Sequence, residues 1–99
     1  MIYQITTRIY IGDVRQFKTL ALTSKMNALS VLKYLKRKQA VPDSDEWTLF
    51  ELVNDLGLER PLRDWEIVTN VINTWDPART TNALVCKTYA YRHTLTVEV

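Results

Sequence analysis

The chain has 99 residues, 46% of them hydrophobic and 10% aromatic, which suits one domain around a single core and leaves too little for two. Thirteen basic against 11 acidic side chains give a net charge of +2, too small to argue for nucleic acid, and the apolar content excludes a disordered chain. The single cysteine, Cys86, excludes an internal disulfide and suits a reducing compartment.

Tyr3, Ile5, Thr7, Ile9 and Ile11 alternate with Gln4, Thr6, Arg8 and Tyr10, the period of a strand with one face buried. Gly12-Asp13 breaks the run. A second strand is expected from Arg15 to Leu22, with Leu20 and Leu22 on one face and Phe17, Thr19 and Ala21 on the other, completing a hairpin. Thr23 or Ser24 is expected to cap a helix whose apolar residues Ala28, Val31, Leu32 and Leu35 recur at helical spacing. Its last turn, Lys36-Arg37-Lys38, places cations at the negative end of the dipole.

Pro42 to Asp45 reads as a loop and Trp47 to Val53 as a third strand. After a turn at Asn54 to Gly57, Glu59 to Pro61 forms a short strand at most, because proline donates nothing to a ladder. Asp64 is expected to cap a second helix carrying Val68, Val71, Ile72 and Trp75 on one stripe, stopped by Asp76-Pro77. Ala83 to Tyr91 reads as the last long strand, and Leu95, Val97 and Val99 alternate again. The order ββαββαβ is that of an α+β, ubiquitin-like β-grasp, a mixed sheet on one main helix, although order alone leaves a ferredoxin-like fold open. A chain that begins and ends in strand patterns points to a single domain, residues 1–99, cut from a longer protein.

No chemical site stands out. His93 and Cys86 have no partners at metal-ligand spacing, and glycines at positions 12 and 57 alone cannot build a phosphate loop, so no metal or cofactor is expected. Asp43, Asp45 and Glu46 solvate a loop, while Asp64 and Glu66 suit capping and the helix dipole rather than acid-base chemistry. The expectation is a binding module and not an enzyme. Trp47 and Trp75 fall on faces that should be buried, whereas Trp65, at a helix start, is a candidate second contact.

Charge is distributed unevenly. From Met1 to Gln39 the only acid is Asp13, while Arg8, Arg15 and Lys18 fall on the hairpin and Lys25, Lys33, Lys36, Arg37 and Lys38 on or beside the first helix. In a β-grasp the second strand is an edge, open to a strand from a partner, and a basic edge beside a basic helix would steer an acidic protein edge onto it.

Leu22, Val31-Leu32, Trp47-x-Leu49-x-Glu51, Glu59-Arg60, Asp64-x-Glu66 and Trp75, in this order and spacing, resemble the Ras-associating domain. The similarity is to the version found in the lamellipodin, RIAM and growth-factor-receptor-bound adaptors, and it covers about residues 4 to 90. Trp65 stands where that family usually carries histidine, the hairpin turn is one residue longer, and Tyr91 to Val99 does not match the family's ending. The resemblance implies that the second strand pairs with the effector strand of a GTP-bound Ras or Rap GTPase, with Lys18 and Arg8 in the contact. Lys33, Lys36 and Arg37 follow on the helix, Arg15 and Lys25 support them, and Phe17 to Ala21, Thr19 included, supplies main-chain bonds.

The same resemblance implies a signalling adaptor or effector, monomeric as an isolated domain and without nucleic acid. No apolar run reaches the roughly 20 residues of a membrane span and no signal-peptide pattern opens the chain. A cytoplasmic location is therefore expected, with recruitment to membrane through the GTPase or a neighbouring domain. Two other readings stay open: a ubiquitin-like interaction domain that ignores GTPases, and a basic surface for anionic lipid headgroups.

Overall fold

The computed structural model describes residues 3–12, 15–42, 47–53, 57–76 and 82–88. In chain order they form β1 (Gln4–Ile11), β2 (Phe17–Thr23), α1 (Ala28–Arg37), β3 (Trp47–Val53), β4 (Leu58–Pro61), α2 (Val68–Asn73) and β5 (Asn82–Thr88). The expected order holds. The second strand starts two residues later than its sequence pattern indicated, leaving Arg15 in the turn, and the last strand is described only as far as Thr88. The expected continuation to Tyr91, the alternation at Leu95 to Val99, His93 and the 43–46 loop lie outside the described residues.

The sheet runs β2-β1-β5-β3-β4. β1 is antiparallel to β2 and parallel to β5, and β3 is antiparallel to both β5 and β4. The two strands farthest apart in sequence therefore lie side by side in its centre, and β2 and β4 are its edges. This mixed sheet over one main helix is the β-grasp arrangement, and it removes the ferredoxin-like alternative.

Period-two alternation sorts the sheet into two faces. Ile9, Leu20, Leu22, Leu49, Leu84 and Cys86 face the helices and pack against Ala28, Val31, Leu32 and Leu35 of α1 and Val68 and Val71 of α2. All are buried, and Ile9, Leu22, Val31, Leu49, Val68, Leu84 and Cys86 are fully enclosed. Burial pushes the Cys86 thiol up to about 12, so it stays protonated and behaves as a small apolar side chain. Phe50 and Val85 are also buried but lie on the other face, outside this cluster.

Neither helix starts as expected. Asn27 caps α1, its Oδ1 accepting from the Ser30 N–H and hydroxyl, each at 2.9 Å; the Thr23 hydroxyl instead accepts from the Lys25 N–H. Asn is among the strongest N-caps and stands directly before the apolar stripe, a signal the earlier Thr23 and Ser24 obscured. Asp64 does not cap α2, which begins four residues later after Ile67 with no side-chain cap. Backbone groups do this work in both directions: Ala28 N–H donates to Glu66 C=O at 2.9 Å, Leu29 N–H to Asp64 C=O at 3.2 Å, and Val68 N–H to Met26 C=O at 3.1 Å. The two helix starts thus satisfy one another's orphan donors, joined by a bridge between Asn27 and Ile67. At its other end α1 closes through Gln39 in the left-handed region, φ 58°, with Ala40 N–H bonded to Leu35 C=O.

Candidate protein-interaction surface

The cationic side chains foreseen on one basic edge are divided by the pleat. Lys18 pairs in register with Ile9, a core residue, and so projects on the helix side of the sheet at its open edge. Arg8 pairs with Thr19, and Tyr10 with Phe17, so Arg8, Phe17 and Thr19 project on the opposite face. There the Arg8 guanidinium sits 4.5 Å from the Phe17 ring centroid, and Tyr10 meets Phe17 edge to face at 5.9 Å. This ladder holds Arg8 in place while Phe17 stays exposed at the edge.

On the helix side, Lys18 shares its face of the sheet with α1, which carries Lys33, Lys36 and Arg37; Lys25 lies in the turn before it. Lys33 and Arg37 are exposed and Lys36 is half-buried. The first turn of α1 carries no acid, so nothing there neutralises this face. Lys18, Lys25, Lys33 and Arg37 have no ion-pair partner among the described residues. The alternation that separated Leu20 and Leu22 from Phe17, Thr19 and Ala21 already implied that Lys18 and Arg8 diverge, since their register partners belong to opposite faces.

On the other half of the molecule Glu51, Glu59 and Glu66 are all engaged. Glu51 on β3 accepts from Trp75 Nε1 at 2.7 Å and from Arg60 Nε at 3.2 Å; Arg60 Nη1 also reaches both oxygens of Glu66, at 2.9 and 3.0 Å. Glu66 additionally accepts the Arg63 N–H at 2.7 Å, so it braces the turn before α2 instead of capping that helix. Glu59 on β4 pairs with Lys87, which is buried on the outer sheet face with its ammonium 5.1 Å from the Phe50 ring. Sequence reading gave Lys87 no role, because only the strand register brings it to Glu59.

Partial burial disfavours the charge on Glu66, but the Arg63 N–H and the Arg60 guanidinium outweigh it and hold the carboxyl below its ordinary value. A carboxylate depressed in the folded state adds stability that is complete above its unfolded pKa of about 4.3 and is lost as pH falls toward the folded value. Thermal melts taken from neutral pH downward should show stability falling below about pH 4.3, and Glu66→Gln should flatten that fall.

Trp47 and Trp75 are half-buried against the core, as their faces required, whereas Trp65 is 66% exposed with the Arg63 guanidinium 5.5 Å from its ring. No group of three or more His, Cys, Asp or Glu side chains among the described residues could hold a metal. No described helix is long and apolar enough to cross a membrane.

A mixed sheet with a cation-bearing β2 edge, and with Glu51, Glu59 and Glu66 paired internally on its other half, is a ubiquitin-like module. The chain belongs to the RA like domain family, whose model matches residues 3–92. Growth factor receptor-bound protein 14 of mouse (Mus musculus) is 33% identical over 73 residues, 74% of this chain but 14% of that protein. The human protein of the same name is 32% identical over the same length and shares. The chain therefore spans about a seventh of these relatives.

Among solved structures, the coiled-coil, RA and PH domains of lamellipodin superpose with a TM-score of 0.78 at 24% identity, covering 88% of this chain and 33% of that one. The Rasip1 RA domain superposes at 0.76 with 15% identity, covering 98% and 99%. RA domains are binding modules and not enzymes.

Proposed function

We propose that this domain recognises the GTP-bound form of a Ras-family small GTPase, Ras or Rap, and does so within a signalling adaptor or effector. The observation that carries the reading is the open β2 edge, where Lys18, with no ion-pair partner among the described residues, stands on the same side of the sheet as Lys33, Lys36 and Arg37. Binding of small GTPases is the typical activity of RA domains, and an unpaired strand edge accepts a partner strand through its main chain. In this arrangement Phe17 to Ala21 supplies ladder hydrogen bonds, Lys18 and the α1 cations meet acidic side chains, and Lys25 and Arg15 widen the positive field. Arg8 and Phe17 contribute from the opposite face.

Calorimetric titration of the domain with Ras and Rap proteins, each loaded with a GTP analogue or with GDP, tests this directly. A preference of about tenfold or more for the GTP form, worth about 1.4 kcal/mol, is expected for at least one of them. Equal affinity for the two nucleotide states, or none for either, overturns the reading. A partner found this way would draw the parent protein from the cytoplasm to the membrane on which such GTPases are anchored.

A further inference from the structure

The bonds that join the two helix starts also bring together the backbone segments that carry two of the exposed large apolar residues. Leu29 N–H donates to Asp64 C=O and Ala28 N–H to Glu66 C=O, so the main chain at Trp65, the residue between those acceptors, runs beside the first turn of α1. Leu29 is 37% exposed and Trp65 is 66% exposed. Cations surround them: Lys33 stands one turn from Leu29 on the same helix face, Lys25 precedes the helix, and Arg63 lies over the Trp65 ring. Of the acids at this junction, Glu66 is occupied by Arg60 and the Arg63 N–H, leaving Asp64 against three cations.

We infer that this junction is a contact surface for an anionic lipid bilayer, with Trp65 and Leu29 entering the headgroup layer and Lys25, Lys33 and Arg63 meeting lipid phosphates. Indole is amphipathic and settles at the boundary between water and hydrocarbon, so an exposed Trp beside a guanidinium suits that depth. Surface-lying contacts draw strength from buried apolar area and from attraction to anionic lipid together, and both are present here. Trp65 also lines an open recess with Arg60 of the β4 edge, Asn70 and Thr74, and the cations beside it match an anionic bilayer. The inference does not depend on GTPase binding.

Co-sedimentation of the domain with vesicles of phosphatidylcholine, alone or mixed with phosphatidylserine, tests it. Partition into the mixed vesicles should exceed that into neutral ones about tenfold and fall as salt is raised. Trp65→Ala should lower partition into the mixed vesicles about fivefold, and Arg63→Glu by tenfold or so. Both side chains are exposed, and an unchanged melting midpoint confirms that each variant is folded. Equal partition into both vesicle types, or a folded Trp65→Ala variant that binds like the parent, overturns the inference. The nucleotide titration, performed without lipid, should be unaltered by Trp65→Ala, so failure here and failure of the GTPase reading are told apart.

Discussion

Replacing Glu51 with alanine should lower the stability of the domain by about 2–3 kcal/mol, because one truncation strands two donors. Trp75 Nε1 loses its acceptor in a half-buried position, and Arg60 loses the anion that fixes its guanidinium against β3. The Glu51 side chain is only 14% exposed, so water cannot fully replace it. In a domain of this size such a loss lowers the melting midpoint by roughly 10 °C. Glu51→Gln keeps an oxygen for the indole and should cost about half as much.

Arg60→Ala provides the contrast. Its side chain is 49% exposed, and exposed ion pairs are worth at most about 1 kcal/mol. Urea denaturation of the three variants orders these effects, and an Arg60→Ala loss equal to that of Glu51→Ala would show that the ion pairs, not the indole bond, carry the stabilisation.

Lys18→Glu is the second large effect, this time on binding. The variant should bind the GTP-loaded partner at least about tenfold more weakly, because reversal replaces attraction with repulsion at the edge where the partner strand would lie. Most of the change should appear in the association rate and shrink as salt is raised. Lys18 is exposed on an edge strand, so the fold should be unaffected. Arg8→Glu makes the complementary measurement, since Arg8 projects on the other face and is held against Phe17. A partner seated on the helix side loses affinity with Lys18→Glu and much less with Arg8→Glu; equal losses would mean that it straddles the edge. Unaltered affinity for Lys18→Glu would remove the proposed contact.

The elements and their order along the chain could be read from the sequence because each writes its own period: Ile9 in its alternating run, Val31, Leu32 and Leu35 at helical spacing, the short strand that ends in Pro61. What could not be read depends on pairs brought together from afar. Glu51, Arg60, Glu66 and Trp75 belong to the pattern by which the family is recognised, yet only the register of β3 against β4 and the return of α2 make them one network. The exchange of caps between residues 26–29 and 64–68 was hidden for the same reason, and Asp64 therefore looked like a cap. The proposed surface rests on charge that was plain in the first 39 residues, while the opposite faces of Lys18 and Arg8, implicit in the alternation, are fixed by the pleat and register.

The open edge has one more consequence, for how copies of this domain treat each other. An unpaired strand with main-chain donors and acceptors is a template for self-association, and β2 leaves such a row uncovered among the described residues. Two copies approaching edge to edge would bring Lys18 and the cationic face of α1 against their own likeness. Colloidal stability at high concentration thus rests on the same unpaired ammonium groups that would select an acidic partner, and a variant that loses them to improve crystallisation or expression would expose a strand ready to aggregate.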